Sequence, residues 1–244
     1  MEKFFENMGR KLGSSVSKGR WYYKSVFGSE EESIRAEHVV GKQLAQNVTQ
    51  EMKIVREPVV QKLIDEIGGR LRQRVHNKQR SFRFSIAASS DINAFALPGG
   101  FVYITQGLFE QIADEHDEIA FVLAHEMMHV VLKHPMNRII ANYSTQMISN
   151  IVIKGGAMGM LARQIVGNLL NNCYSRENEL EADNYAVRLM YAADFDANAA
   201  KSLLARLKQT SPEDLPVYNY FLSHPAIDER INAIQQLISE RKMG

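Results

Sequence analysis

Apolar residues recur at helical spacing over most of this chain and follow a strand pattern in only two short segments. The helical spacing predicts helices at about 30 to 48, 58 to 75, 107 to 112, 115 to 134, 136 to 170, 177 to 192, 196 to 208 and 226 to 240. Phe82, Phe84 and Ile86 alternate with polar neighbours, residues 101–105 are aromatic and β-branched, and Pro98-Gly99-Gly100 supplies a turn between the two segments. These elements predict a mainly helical α+β fold with a small β-sheet between the helices.

No internal repeat, low-complexity tract or linker divides the helical region, so we expect one domain at 31–244 behind an N-terminal appendage at 1–30. The appendage is rich in Lys and Arg, and its apolar residues recur at about one helical turn: Phe4, Met8, Leu12 and Val16. This pattern is compatible with an amphipathic helix that makes peripheral contact with a membrane surface. Residues 13–15, Gly-Ser-Ser, would interrupt such a helix, which favours a helix or loose arm packed on the domain.

Composition restricts the compartment and the partners only in part. Lys and Arg total 29 against 28 for Asp and Glu, so no overall field attracts nucleic acid, which we exclude as a partner. Cys173 is the single cysteine, the start of the chain lacks a signal-peptide pattern, and charges interrupt the apolar stretch from Met147 to Leu170. We therefore expect a cytoplasmic or peripheral membrane protein, or a periplasmic one if a signal peptide has been removed.

The strongest chemical signal is the segment His125-Glu126-Met127-Met128-His129, which ends an apolar run typical of a buried helix. Residues four apart share a helix face, so both imidazoles can reach one Zn²⁺ ion at about 2.0 to 2.1 Å. Glu126 lies about 100° round the axis, where it can take a proton from an attacking water. The pattern predicts zinc-dependent peptide hydrolysis; the alternative is an ordinary helix with two satisfied histidines.

A catalytic zinc needs a third protein ligand. The astacin-like and matrix-protease arrangement is excluded because Leu132 and Pro135 occupy the positions that would require glycine and histidine. A carboxylate from a later helix remains, and two pairs of acidic residues have the co-facial spacing of four: Glu179 with Asp183, and Glu177 with Glu181. Spacing does not choose between the pairs, and a solvated acidic helix start is the alternative to both.

Three separated motifs resemble the zinc metallopeptidase family of the CAAX prenyl endopeptidase and the heat-shock endopeptidase HtpX. They are residues 125–129, Ser175-Arg176 followed by Glu179 and Ala182-Asp183, and residues 93–100, and the resemblance covers roughly 55 to 240. Residues 135–174 are amphipathic, whereas the integral-membrane relatives carry transmembrane helices there. The chain therefore resembles the soluble or peripheral branch of the family.

The resemblance implies a zincin-like fold with the sheet beside the metal helix, and one Zn²⁺ per chain. It implies that His125, His129 and Glu179 bind the metal and that Glu126 is the catalytic base. Asp183, one turn beyond Glu179, is then placed to orient a ligating histidine.

The same resemblance implies that an extended substrate pairs with the sheet edge at Asn93, Ala94, Phe95 and Ala96. An internal hairpin without a ligand is the alternative. His224-Pro225, followed by Arg230, resembles a downstream family motif. We favour His224 as a catalytic donor to the oxyanion. It could instead fill the open metal position and hold the enzyme idle, or serve only as a capping or packing residue.

Other features carry weaker signals. His38, His76, His116 and His134 have no motif support, and we expect them at the surface. The Met-rich stripe within 145–172 is compatible with a lid over the cleft, but the pattern favours a core-packed helical hairpin.

Taken together, the motifs predict a zinc-dependent endopeptidase that acts on proteins or peptides, in protein quality control at or near a membrane. A chaperone-like or scaffold protein with a non-catalytic zinc is the second hypothesis, and an amidase acting on a non-peptide bond is the third. The sequence does not predict an oligomeric state.

Overall fold

The structure is a computed structural model that describes residues 29–144, 147–148, 159–171, 174–209 and 224–242. Nearly all of the predicted appendage at 1–30 therefore lies outside the described residues, and so does Cys173. Of the helices in the described part of the chain, none combines the length and the apolar character that a membrane crossing requires.

Two helices precede a short sheet and further helices follow it, in the chain order that the sequence predicts. The helices are α1 (Glu30–Glu51), α2 (Pro58–Arg74), α3 (Gln106–Ile112), α4 (His116–Val131), α5 (His134–Asn142), α6 (Gly159–Asn171), α7 (Arg176–Ala192), α8 (Asn198–Gln209) and α9 (Ile227–Lys242). The strands are β1 (Arg83–Ala87), β2 (Ala94–Leu97) and β3 (Phe101–Thr105).

The three strands form one sheet in the order β1-β3-β2, in which β3 pairs parallel with β1 and antiparallel with β2. The turn between β2 and β3 depends on Gly99 and Gly100, whose φ angles are +76° and +89°. A Cβ at Gly100 would lie 1.9 Å from the carbonyl oxygen of Ser81, so both the conformation and the close approach require glycine. This turn leaves β2 at an edge of the sheet.

Helix α4 is the central element, and it is buried from Glu118 to Val130. It packs against α7, α2 and α8, and also against β2. One apolar cluster fills this side of the sheet, and a second joins β2 and β3 to α1, α5 and α6. The mainly helical α+β fold with a small sheet beside the metal helix is thereby confirmed.

The prediction of one helix from 136 to 170 is wrong. Helix α5 ends at Asn142, where Tyr143 adopts an extended backbone with φ −130° and ψ 138°. Helix α6 then packs on α1 and on β2. Within it, Leu161 is buried in the second apolar cluster while Met160 is 86% exposed. Ile151 and Met158 of the Met-rich stripe lie outside the described residues, so the choice between a lid and a hairpin stays a prediction.

Candidate metal centre and active site

Helix α4 brings His125 and His129 to one buried face, with 2% and 0% of their surfaces exposed. Their Nε2 atoms lie 3.0 Å apart, and the two rings are nearly perpendicular at 82°. Two imidazole nitrogens this close both point at a single position between the helices. The spacing of four residues therefore brings both imidazoles to one point, as the sequence predicts.

Helix α7 supplies the opposing carboxylate. Ser175 caps the helix by accepting a hydrogen bond from the backbone N–H of Asn178. Ala182 and Ala186 are fully buried where α7 meets α4, and their small side chains allow close approach. Glu179 Oε1 consequently lies 3.3 Å from His129 Nε2, and its Oε2 lies 3.5 Å from His125 Nε2.

The structure also distinguishes the two acidic pairs that spacing left equal. Glu179 and Asp183 are buried at 0% and 1% exposure, whereas the Glu177 and Glu181 side chains are 74% and 50% exposed. The first pair faces α4 and the second does not. Glu179 is therefore the carboxylate that the fold brings to the histidines.

His224 completes a four-residue group. Its Nδ1 lies 3.3 Å from His125 Nε2 and 3.1 Å from each oxygen of Glu179. Potential ligand atoms of His125, His129, Glu179 and His224 all fall within 4.8 Å of one another. Tetrahedral zinc with ligands at 2.0 to 2.1 Å separates those ligands by about 3.3 to 3.4 Å. The donor types and their spacing therefore fit Zn²⁺.

Arg230 lies behind this group and is fully buried. Its Nε and one terminal nitrogen donate to Asp183 at 2.6 and 2.9 Å, and the other terminal nitrogen lies 2.9 Å from Glu179 Oε2. Asp183 Oδ1 is in turn 2.8 Å from His125 Nδ1. Sequence reasoning noted Arg230 only within a motif. Its signal was its place on the core-facing row of α9, between Ile227 and Ile234.

These charges shift the pKa values of the buried acids. Burial alone would raise the pKa of Glu179, but the attraction of His224 and Arg230 outweighs it and holds this pKa well below the ordinary value. Burial would also raise the pKa of Asp183, but the positive charges of Arg230 and His125 outweigh burial and lower this pKa. Both carboxylates are therefore ionised at neutral pH.

The pKa values of His125 and His129 shift in opposite directions. Burial and Arg230 would lower the pKa of His125, but Asp183 and Glu179 together raise it to about 9. Burial dominates at His129 and lowers its pKa well below the ordinary value. In metal-free protein at neutral pH His125 is thus the doubly protonated, cationic imidazole. A metal ion that binds its Nε2 must displace one of those two protons.

Glu126 is 1% exposed and lies beside the four-residue group without belonging to it. Its Oε1 is 3.4 Å from His224 Nε2, and its Oε2 has no hydrogen-bond partner in the described part of the chain. Burial raises the pKa of Glu126, although His224 and His125 oppose this. A carboxylate with a free oxygen and a raised pKa is suited to accept and return a proton.

The prediction that His134 lies at the surface is wrong. His134 is only 6% exposed, and its Nδ1 lies 2.8 Å from His129 Nδ1. The reason is Lys133, whose left-handed backbone (φ 62°) turns the chain between α4 and α5 and brings the next residue back toward the metal helix. His76 and His116 are exposed as predicted, and His38 is half-buried.

Tyr174 covers the face of the His129 ring. The two rings stack at a centroid distance of 4.1 Å and an interplanar angle of 18°. The guanidinium of Arg138 lies 4.0 Å from the centroid of the Tyr174 ring, a cation–π contact. His129 is thus held by a ring contact on its face and by His134 at its Nδ1.

The predicted substrate edge lies next to the site. Asn93 precedes β2, exchanges hydrogen bonds with Thr105 of β3, and accepts from the backbone N–H of Ala94. The carbonyl oxygen of Ala94 is 3.5 Å from His224 Nε2. Phe95 stacks on Tyr103 at 4.8 Å, and the whole segment from Asn93 to Ala96 is buried. Helices α1, α5 and α6 contact this edge strand.

Two packed helices, one with a buried His-Glu-x-x-His segment and one with a buried facing glutamate, give the site the donor arrangement of a zincin-like metal centre beside a three-stranded sheet. Residues 58–238 match the sequence profile of peptidase family M48, and the chain belongs to that family.

Named relatives agree with this assignment. A putative beta-barrel assembly-enhancing protease of Vibrio cholerae is 29% identical over 189 residues, which are 73% of this chain and 39% of the relative. The mitochondrial metalloendopeptidase OMA1 of Schizosaccharomyces pombe is 35% identical over 62% of this chain and 45% of its own length. The metalloprotease LoiP of Escherichia coli is 29% identical over 64% of this chain and 62% of its own length. The chain thus spans less than half the length of the first two relatives.

Proposed function

We propose that the protein is a zinc-dependent endopeptidase in which His125, His129 and Glu179 bind the metal and Glu126 is the base. The observation that carries this proposal is Glu126: a buried carboxylate, one oxygen of which accepts no hydrogen bond from the described residues, lies beside the candidate ligands without being one of them. A structural zinc site has no use for such a group. The chaperone-like alternative with a non-catalytic zinc leaves this costly buried acid unexplained.

Zinc supplies Lewis-acid chemistry at such a site, which activates water and polarises a carbonyl. The chain's own residues do the rest. Glu126 takes the proton of the attacking water and returns it to the leaving amine. The Asp183 carboxylate, 2.8 Å from His125 Nδ1, holds the ring so that its Nε2 is available to the metal. The backbone of β2 pairs with an extended peptide, so that recognition depends little on side chains.

The distances favour His224 as an occupant of the open metal position over His224 as a donor to the oxyanion. Its Nδ1 is as close to Glu179 as a fellow ligand would be, and its Nε2 lies 3.4 Å from Glu126 Oε1. An imidazole there occupies the space that the attacking water and the scissile carbonyl need. We propose that this conformation is idle and that His224 moves away when substrate binds.

The decisive experiment compares Glu126→Gln with the wild type. We expect the variant to keep one zinc per chain and to lose casein cleavage, because the amide cannot accept the proton. Glu177→Gln is the matched control, since its side chain is 74% exposed and far less enclosed. Full cleavage by purified Glu126→Gln, or wild-type cleavage that a chelator does not stop, would refute the proposed mechanism.

We propose protein quality control at or near a membrane as the setting. Several relatives are named beta-barrel assembly-enhancing proteases, and another is named a mitochondrial metalloendopeptidase. Main-chain pairing at a strand edge favours substrates with extended, unfolded segments. Incubation with folded and with denatured forms of one protein tests this; equal cleavage of both forms would contradict it. Zinc-loaded protein that suppresses aggregation without cleaving would support the chaperone-like alternative.

A further inference from the structure

The two imidazoles of the candidate metal site are supported differently at the nitrogen that faces away from it. His125 Nδ1 lies 2.8 Å from the buried carboxylate of Asp183. His129 Nδ1 instead lies 2.8 Å from His134 Nδ1, a second imidazole. His134 Nε2 then faces Glu181 Oε2 at 3.6 Å. His129, His134 and Glu181 therefore form a row that leads from the site to a half-exposed carboxylate.

When a metal binds His129 Nε2, the ring nitrogens of this row can carry their protons in only one way. A neutral imidazole with its Nε2 on a metal carries its proton on Nδ1 and must donate there. His134 Nδ1 must therefore accept, so His134 carries its own proton on Nε2. That proton points toward Glu181, which can only accept. His129 thereby fixes the tautomer of His134, and Glu181 lies 3.6 Å from the resulting N–H.

Because the row is buried, its members depend on one another for hydrogen bonds. His129 and His134 are 0% and 6% exposed, so water cannot easily replace either partner. Tyr174 stacks on the His129 ring and blocks its rotation out of the plane. If the acceptor at His134 were lost, the buried Nδ1–H of His129 would have no partner, which is costly.

We propose that His134 is a positioning residue for the metal: it fixes the tautomer and ring orientation of His129, and Glu181 orients His134. This inference rests on the proposed function, because it takes His129 Nε2 as a zinc ligand. It assigns a role to a residue that no motif identifies. The alternative is that His134 only fills space between α4 and α5.

Two substitutions separate these readings. His134→Asn keeps an acceptor oxygen near the position of Nδ1, whereas His134→Leu fills similar space without an acceptor. We expect His134→Leu to bind zinc about 10 to 100 times more weakly than wild type, as for other partners of metal-bound histidines. His134→Asn should restore most of the affinity. On α7, Glu181→Gln should weaken binding slightly, while the exposed Glu177→Gln should leave it unchanged.

Zinc affinity is measured by competition with a chromogenic chelator, and the visible spectrum of Co²⁺-loaded protein reports the ligand geometry without any turnover. Thermal unfolding of the metal-free variants separates loss of fold from loss of affinity. We expect an altered Co²⁺ spectrum for His134→Leu and a near-native one for His134→Asn.

Equal affinity in His134→Leu and wild type would overturn the inference, and so would equal losses in His134→Leu and His134→Asn. If both His134 variants fail to fold, the Glu181→Gln and Glu177→Gln pair decides: a selective loss supports the row, and equal affinities overturn it. Failure of the proposed function looks different, because the wild type itself would then bind no zinc or would cleave nothing.

Discussion

Arg230 offers the sharpest test of how the buried charges are balanced. Its guanidinium is fully buried and donates two hydrogen bonds to Asp183, at 2.6 and 2.9 Å, while a third nitrogen lies 2.9 Å from Glu179. The substitution Arg230→Met keeps much of the side-chain length and removes the charge. Two buried carboxylates would then share only the positive charge on His125 and any carried by His224.

The expected destabilisation by Arg230→Met follows from removing the cation while its carboxylate partners stay buried. Removing one partner of a buried ion pair costs about 3 to 5 kcal/mol. For a protein of this size about 1 kcal/mol lowers Tm by about 2 to 4 °C, so metal-free Arg230→Met should unfold about 6 to 20 °C below wild type. The loss in zinc-saturated protein should be smaller, because the dication supplies the positive charge that Glu179 then lacks.

Thermal unfolding followed by circular dichroism, with a chelator or with excess zinc, measures both quantities. Arg176→Met is the matched control, because Arg176 pairs with Glu229 at 3.3 Å where both side chains are about half exposed. Such surface pairs contribute at most about 1 kcal/mol. A metal-free Tm for Arg230→Met no lower than that of the control, or an equal drop with and without zinc, would refute this reasoning.

Three further outcomes can be checked on the same protein. Glu179→Ala should lose zinc, whereas Glu177→Ala and Glu181→Ala should keep one ion per chain; metal analysis that found zinc in all three would exclude Glu179 as a ligand. The pKa of His125 is raised from 6.5 to about 9, so its stabilising charge in metal-free protein is fully present below pH 6.5 and is lost as pH rises through 9. Zinc affinity should rise over that range, and calorimetry at pH 7 in two buffers should detect about one proton released by each zinc; no release would contradict it. His224→Ala should cleave casein faster than wild type if His224 holds the site idle, and a slower rate would favour the oxyanion role.

Local spacing predicts what lies on one helix. The i,i+4 relation of His125 and His129 is fixed by helix geometry, so their meeting at one point required no knowledge of the fold. Glu179 could not be chosen over Glu177 in the same way, because both have a co-facial acidic partner. That choice depends on which face of α7 meets α4, a long-range packing property for which the resemblance was needed.

The residues that sequence reasoning missed join the site through turns and tertiary contacts. His134 follows His129 by five residues, which is not a helical neighbour spacing, and only the left-handed turn at Lys133 brings it back. Arg230 is a charged residue on an apolar helix face, a pattern that indicates burial with a partner but does not name the partner. The break after Asn142 was missed because helical periodicity continues on both sides of it.

His224 and the edge strand are linked by one carbonyl. The carbonyl oxygen of Asn93 accepts from the backbone N–H of Thr105 in β3, and the N–H of Asn93 donates to the Thr105 hydroxyl, so the next residue, Ala94, directs its carbonyl oxygen to the opposite, outer side of β2. A peptide added to this edge needs that oxygen as an acceptor, yet His224 Nε2 lies 3.5 Å from it while His224 Nδ1 lies among the candidate ligands. Displacement of one imidazole would therefore free both the strand edge and the space beside His125, His129 and Glu179. Substrate pairing and opening of the metal site would then be a single event.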